Sequence, residues 1–179
     1  MIERVIIAGF GGQGIMLLGK LLAQAALNEG KNVTWLPAYG AEVRGGASYC
    51  MVIISDEEIA SPILDNADTL IALNGPSLEK FKQKLIPEGL LVANSSLING
   101  DIKLKAKQTV KAPFTDTALR LGNVKVANTV ALGAYLAKRK NITVENVLKA
   151  MQDLAPKGRE DLVAINKKAL EEGLKYGKS

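Results

Sequence analysis

The 179-residue chain contains no histidine and a single cysteine, Cys50. Histidine is the commonest general base, and one cysteine can neither form a disulfide within the chain nor hold an iron–sulfur cluster. Cys50 lies in the apolar run of residues 49–54, where we expect a buried strand residue and not a nucleophile. These absences argue against a self-contained enzyme, and we predict no catalytic and no metal-binding residues.

The chain also lacks long apolar runs and has few aromatic residues. No run approaches the roughly 20 residues that a membrane helix requires, and the first strand follows so early that no signal peptide fits before it. We therefore expect a cytoplasmic protein with no membrane partner. Aromatic residues make up 4% of the chain and are not interleaved with basic runs, which counts against nucleic acid. The net charge of +5 indicates a solvated basic surface or, in functional terms, attraction to an acidic subunit or a phosphorylated ligand.

The most informative stretch is G-F-G-G-Q-G at residues 9–14. It follows the apolar run of residues 5–8 and precedes apolar residues at helical spacing, so it predicts a strand, a glycine turn and a helix. Such a turn lets a ligand approach the backbone, and the helix N-terminus offers free N–H groups and a partial positive charge to a phosphate. The alternative is a turn that only packs the helix against the strand.

A dinucleotide site of this type usually has an acidic residue at the end of the second strand, about 20 residues further on. Here the second strand is expected over residues 32–36 and ends at Pro37, with no acid; Glu42 follows inside a loop. The sequence therefore favours a phosphate or pyrophosphate ligand other than NAD.

A second informative stretch, P-A-Y-G-A-E-V-R-G-G, covers residues 37–46 and has neither helical nor strand periodicity. Its three glycines expose backbone, and Arg44 can form bidentate contacts with a phosphate or a carboxylate. Since binding residues concentrate on loops held by a scaffold, we expect a ligand or subunit contact that involves Tyr39, Glu42 and Arg44. A solvated hairpin or crossover loop is the alternative.

Short apolar runs alternate with helical segments along the rest of the chain. This pattern predicts one α/β domain over residues 1–179, a three-layer Rossmann-like sandwich whose sheet is mostly parallel or mixed and carries helices on both faces. Strands are expected over residues 47–55, 68–74 and 90–93. Alternation of lysine with apolar residues predicts a half-exposed or edge strand over residues 102–107.

A helix of small apolar residues is expected over residues 125–138, with Asn128 near its start. A buried asparagine needs a hydrogen-bond partner, which its own first helical turn or another subunit could supply.

Four stretches together resemble the gamma subunit of the 2-oxoacid:ferredoxin oxidoreductases. They are GFGGQG at residues 9–14, YGAEVRGGAS at 39–48, VIISD at 52–56 and ANTVALGA at 127–134. The first motif is common, but followed by the Tyr-Gly…Glu-x-Arg-Gly-Gly loop it is specific, and the order and spacing fit the whole chain.

The resemblance implies a non-catalytic subunit of a hetero-oligomer that oxidatively decarboxylates a 2-oxoacid, forms acyl-coenzyme A and reduces ferredoxin. Thiamine diphosphate, magnesium and iron–sulfur clusters would lie on partner alpha, beta and delta subunits, while the gamma subunit completes the assembly and helps to hold coenzyme A. The implied coenzyme A contacts are Gly9, Gly11, Gly12, Gln13, Gly14 and Arg44. The expected subunit-interface residues are Tyr39, Glu42, Arg44 and Asn128.

The Arg44-Gly45-Gly46 sequence looks more like the 2-oxoglutarate branch than the pyruvate branch, and the related indolepyruvate enzymes stay open. The specificity pocket is expected mainly on other chains, and the isolated chain is expected to be inactive. Two other functions stay open as well. One is a free-standing nucleotide-binding reductase, against which the missing acid and histidine count, and the other is a scaffold whose glycine turn binds nothing.

Overall fold

The computed structural model describes residues 1–38, 47–102, 104 and 106–178. Within these residues six strands form one sheet in the order β2-β3-β1-β4-β5-β6. The strands are β1 Ile2–Phe10, β2 Asn32–Ala38, β3 Ala47–Ser55, β4 Ala67–Ala72, β5 Leu85–Asn94 and β6 Gln108–Ala112. The helices are α1 Ile15–Asn28, α2 Gly75–Phe81, α3 Phe114–Arg120, α4 Ala127–Arg139, α5 Val144–Leu154 and α6 Glu160–Gly177, with 3-10 turns at Lys82–Lys84 and Val124–Val126.

Both faces of the central strand are buried, which explains why β1 reads as a continuous apolar run. Val5 and Ile7 point into a core shared with α1, α4, α5 and α6, whereas Ile6 and Ala8 point into a second core under α2. All four side chains are 0% exposed. The predicted three-layer α/β sandwich with a mixed sheet is therefore confirmed. In the described part of the chain, no helix combines the length and apolarity needed to cross a membrane.

The sheet is mixed because β3 runs antiparallel to both of its neighbours, β1 and β2, whereas β1, β4, β5 and β6 are parallel. The edge where β1 and the strands parallel to it end is called the carboxyl edge below, and the opposite one the amino edge. Ala47 pairs with Phe10, so the connection from β2 to β3 leaves and re-enters the sheet at the carboxyl edge. Tyr39, Glu42 and Arg44 belong to this connection and lie outside the described residues.

Helices α4 and α6 approach each other backbone to backbone at Gly133 and Gly173. A Cβ atom on Gly173 would overlap the carbonyl oxygen of Val130 and lie 2.9 Å from the Cα of Gly133. A Cβ on Gly133 would in turn lie 2.8 Å from the backbone nitrogen of Leu174. The two glycines therefore set the distance between the helices.

A buried polar cluster ties α4 to the amino edge of the sheet. The Glu3 carboxylate accepts a hydrogen bond from the Thr69 hydroxyl at 2.6 Å and forms an ion pair with Arg139, whose Nε lies 2.9 Å from Oε1 and donates to the Thr69 hydroxyl oxygen at 2.9 Å. Arg139 also donates from Nη2 to the carbonyl oxygen of Asp68. Glu3 is 7% exposed, and desolvation raises its pKa above the ordinary 4.5, although the Thr69 hydrogen bond and the Arg139 charge oppose that rise.

Two details of the predicted strands are wrong. Beyond β5 the sheet ends in β6 and not in residues 102–107, because the described apolar residues there, Ile102, Leu104 and Ala106, pack on the α2-side core without joining the ladder. The strand expected from residue 90 begins earlier, at Leu85, and its pairing with β4 shifts register between Ala67 and Thr69. Alternation of polar and apolar residues reports burial of one face, and a segment can bury one face without pairing.

Candidate functional site

The glycine turn, residues 9–14, joins the end of β1 to α1 at the carboxyl edge, as the sequence predicts. Gly12 and Gly14 have φ values of 96° and 72°, in the left-handed region that other residues rarely adopt. The backbone N–H of Gln13 donates to the carbonyl oxygen of Phe10 at 3.2 Å and closes the turn. Open α/β sheets bind ligands at this edge, outside the carboxyl ends of their strands.

The N-terminus of α1 has neither a capping side chain nor an acidic residue to balance its free N–H groups. Gly14 is its N-cap and supplies no side chain, and the first turn contains no acidic residue. The first intrahelical bond runs from Leu18 to Gly14, so the N–H groups that precede Leu18 in the helix have no intrahelical acceptor. This helix end therefore presents donors and a partial positive charge to an anion.

The Gln13 side chain shapes the turn from the inside. Its Oε1 accepts from the Phe10 backbone N–H at 2.9 Å and from Asn74 Nδ2 at 3.0 Å, while its Nε2 donates to the Leu73 carbonyl oxygen at 3.3 Å. Asn74 also caps α2 by accepting from the Ser77 N–H at 2.9 Å. Gln13 thus ties the turn to the end of β4 and the start of α2, so its side chain is engaged within the fold.

The predicted glycines have different surroundings. Gly9 is buried: its carbonyl oxygen accepts from the Ser77 hydroxyl at 3.1 Å, and a Cβ there would lie 2.7 Å from Ile15 Cδ1. Gly11 and Gly12 are exposed, and a Cβ on Gly12 would meet no atom within 4 Å. Gly11 and Gly12 therefore lie at the surface, whereas Gly9 is packed inside the turn.

Asn128, which the sequence links only to its own helix or to another subunit, lies directly behind the turn. Its Nδ2 donates to the carbonyl oxygen of Gly14 at 3.1 Å, and the residue is 2% exposed. Sequence reasoning missed this pairing because 114 positions separate the two residues. The available signal was a polar amide at the start of an otherwise small and apolar helix.

A cleft of about 380 Å³ opens in front of the turn. Its lining residues are Phe10, Gly11, Gly12, Gln13, Leu97, Thr115, Val124, Lys125 and Ala127. Three of these are exposed apolar side chains, with Phe10, Leu97 and Val124 being 44%, 38% and 49% accessible. Lys125 adds a positive charge that sequence reasoning missed, because a single lysine before a helix has no distinctive pattern.

Among the residues that the structure describes, the lining of the cleft contains no histidine, cysteine or carboxylate. Cys50 is 0% exposed, and burial raises the pKa of its thiol to about 12, so it is the inert strand residue that the sequence predicts. A larger groove of about 870 Å³ lies near the amino edge, but it includes no residue of the turn, so the smaller cleft is the candidate site.

The mixed α/β sheet thus carries a glycine turn after its central strand and an asparagine from a small-residue helix behind that turn. Residues 4–176 match the pyruvate ferredoxin/flavodoxin oxidoreductase family, and the chain belongs to it.

Among proteins of known function, the chain is similar to the ketoisovalerate oxidoreductase subunit VorA of Methanothermobacter thermautotrophicus. The two are 37% identical over 175 residues, which is 98% of this chain and 36% of the relative. The chain therefore spans about a third of that relative's length.

Two solved structures share the fold over nearly the whole chain. The keto/oxoacid ferredoxin oxidoreductase gamma subunit of Geobacter sulfurreducens is 32% identical with a TM-score of 0.84, and the match covers 98% of both chains. The 2-oxoglutarate:ferredoxin oxidoreductase of Magnetococcus marinus, solved with 2-oxoglutarate, coenzyme A and succinyl-CoA bound, is 27% identical with a TM-score of 0.89. That match covers 99% of this chain and 31% of the other. The predicted resemblance to such gamma subunits is confirmed.

Proposed function

We propose that this chain is the gamma part of a 2-oxoacid:ferredoxin oxidoreductase and that it holds coenzyme A without supplying catalytic groups. The observation that carries the proposal is the cleft, in which exposed Gly11 and Gly12 lie beside an uncapped helix N-terminus, apolar walls and Lys125. Membership of the family over residues 4–176 supports it.

Coenzyme A fits these groups by its chemistry. Its pyrophosphate would take the N–H donors of the glycine turn and of the start of α1, because a backbone without Cβ atoms can approach a phosphate closely. Lys125 is placed to attract a further phosphate, and the exposed side chains of Phe10, Leu97 and Val124 offer a surface for the uncharged arm of the molecule. Arg44 is proposed as an additional phosphate contact.

The remaining chemistry is assigned to partner subunits. We place thiamine diphosphate, magnesium and the iron–sulfur clusters on alpha, beta and delta subunits. Ferredoxin is then an indirect partner, which interacts with this chain through the other subunits. The lack of histidine and the burial of the one cysteine support this division. Residues 1–179 would form a single domain of a cytoplasmic hetero-oligomer, with Tyr39, Glu42, Arg44 and Asn128 predicted at subunit interfaces.

The 2-oxoacid is selected elsewhere in the complex under this proposal. The relatives support that view, since a ketoisovalerate enzyme and a 2-oxoglutarate enzyme both match this chain over 98% or more of its length. A shared gamma part can serve different 2-oxoacids if the pocket for the acid lies on the other subunits.

Replacing Gly12 by Asp tests the ligand site. The carboxylate and the new Cβ would occupy the path of the phosphate, so in the assembled complex we expect the coenzyme A KM to rise roughly tenfold or more, with the 2-oxoacid KM within about twofold of wild type. The matched control is Gly30→Asp, which places the same side chain on an open left-handed glycine at the far end of α1. An unchanged coenzyme A KM in an intact Gly12→Asp complex would mean that the turn is purely structural.

The isolated chain provides a second test. Because the described lining of its cleft contains no histidine, cysteine or carboxylate, the purified chain is expected to be colourless and to turn over no 2-oxoacid when coenzyme A and an electron acceptor are supplied. Addition of the partner subunits should restore turnover. Activity of the chain alone, after removal of any co-purifying protein, would contradict the assignment as a non-catalytic subunit.

A further inference from the structure

The last residue of the glycine turn is held by two hydrogen bonds from different parts of the chain. Gly14 is the N-cap of α1, with φ 72° and ψ 27°. Its carbonyl oxygen accepts from the Leu18 N–H at 2.9 Å, which begins α1, and from Asn128 Nδ2 at 3.1 Å. The position of this residue therefore depends on α4 as well as on α1.

The Asn128 amide also fills the space beside Gly14. A Cβ on Gly14 would overlap Asn128 Nδ2 and lie 3.2 Å from its Cγ. A larger residue at position 14 is thus excluded while Asn128 is present, and a smaller residue at position 128 would leave a void behind the turn. The two residues fit each other as a pair.

Hydrogen bonds on the side away from Gly14 hold the Asn128 amide in place. Its Oδ1 accepts from the Thr129 N–H at 2.8 Å, and the Thr129 hydroxyl lies 2.6 Å from Oδ1 of Asn166 in α6. Asn166 donates in turn to the carbonyl oxygen of Leu162 at 2.8 Å. Asn128 and Thr129 are 2% and 0% exposed, and buried polar groups with complete hydrogen bonding have defined orientations.

The contact between Asn128 and Gly14 lies next to the candidate site. Ala127, the residue before Asn128, lines the cleft together with Gly12 and Gln13, whereas Asn128 lies behind it. The bond to Gly14 therefore sets the spacing between the starts of α1 and α4, which flank the cleft. Both polar atoms of the Asn128 amide have partners within the chain, so its burial requires no second subunit.

We infer that Asn128 is a positioning residue for the glycine turn. By donating to the Gly14 carbonyl and filling the space beside its Cα, it holds the turn in the conformation that presents the N–H groups of Gly11, Gly12 and α1 to a phosphate. This inference rests on the proposed function of the cleft. It gives Asn128 no contact with the ligand and no part in the chemistry.

The test is Asn128→Asp in the assembled complex. Aspartate has nearly the same shape and still accepts from the Thr129 N–H, but it has no N–H to donate and it sets an oxygen against the Gly14 carbonyl. Loss of one buried hydrogen bond with this repulsion is expected to raise the coenzyme A KM about tenfold. The 2-oxoacid KM and kcat should stay within about twofold, and amide hydrogen exchange at residues 11–15 should become faster.

Thr129→Val is the matched control. It has almost the same shape and removes the hydroxyl, which reaches Asn166 and also lies 3.3 Å from Asn128 Oδ1, but it keeps the backbone N–H that donates to Asn128 at 2.8 Å and the bond from Asn128 to Gly14. We expect a lower melting temperature for this variant and an unchanged coenzyme A KM.

Comparison with Gly12→Asp separates the possible results. If Gly12→Asp raises the coenzyme A KM and Asn128→Asp does not, the inference is overturned and the proposed function stands. If neither variant changes the coenzyme A KM, both the inference and the proposed function are overturned.

Equal increases in the coenzyme A KM for Asn128→Asp and Thr129→Val would indicate general loosening of α4 and would also overturn the inference. If the Asn128→Asp complex fails to assemble, faster exchange at residues 11–15 in the single chain than in Thr129→Val supports the inference, and equal exchange overturns it.

Discussion

Gly173→Ala is expected to lower the free energy of unfolding by about 3 kcal/mol, the upper end for overpacking a core. The added methyl group would overlap two backbone atoms, the Val130 carbonyl oxygen and the Gly133 Cα. Backbone atoms cannot relieve the overlap by changing rotamer as a side chain can. Helices α4 and α6 would have to separate, which would expose part of the core between them. Chemical denaturation of the purified chain, with the denaturant midpoint and slope, measures the change.

The control for this experiment is Gly75→Ala at the start of α2. A Cβ there has only one neighbour within 4 Å, the Leu97 carbonyl oxygen at 3.8 Å, which is ordinary van der Waals contact. Its stability should stay within about 0.5 kcal/mol of wild type. A Gly173→Ala chain as stable as Gly75→Ala would show that the two helices are not in backbone contact.

Arg139→Met is expected to cost about 4 kcal/mol at pH 8, because it would leave the buried Glu3 carboxylate without its cation. The loss should depend on pH. Arg139 lowers the pKa of Glu3, so its removal raises that pKa further above 4.5 in the folded chain. A carboxyl group with a raised folded-state pKa takes up a proton on folding, so its stability is retained below the unfolded pKa and lost as pH rises through the folded pKa. The deficit should therefore be smaller at pH 5 than at pH 8.

Two further variants check this interpretation. The double variant Glu3→Gln/Arg139→Met removes both charges of this ion pair, so the deficit should no longer change between pH 5 and pH 8. Arg4→Met removes the partly exposed ion pair with Asp68, 3.4 Å long, and should cost no more than about 1 kcal/mol. A deficit in Arg139→Met that is the same at both pH values would contradict the role given to Glu3.

Local signals predicted the elements that depend on neighbouring residues. The apolar run before Gly9 forms β1, the periodic segment after Gly14 forms α1, and the Thr143 hydroxyl caps α5 by accepting from the Asn146 N–H. Each of these depends on contacts within a few positions of the sequence, such as a cap, a turn or one apolar face. The glycine turn was found for the same reason.

Long-range arrangements could not be predicted in this way. Nothing local indicates that β3 inserts between β1 and β2, or that Asn128 meets Gly14. Lys125 enters the cleft only because the 3-10 turn before α4 reaches the carboxyl edge. The predicted strand over residues 102–107 failed because the same alternation suits a segment that covers a core without pairing. Which strands pair depends on tertiary packing, and the residues next to a strand in the sequence do not indicate its partner.

Helix α4 is anchored to other parts of the fold at both of its ends. Its 13 residues span about 20 Å, from Asn128 behind the glycine turn to Arg139 in the cluster with Glu3. Gly133 and Gly173 fasten its middle to α6. A helix held at three points can neither slide nor tilt on its own, so any movement of the glycine turn requires the sheet and α6 to move with it.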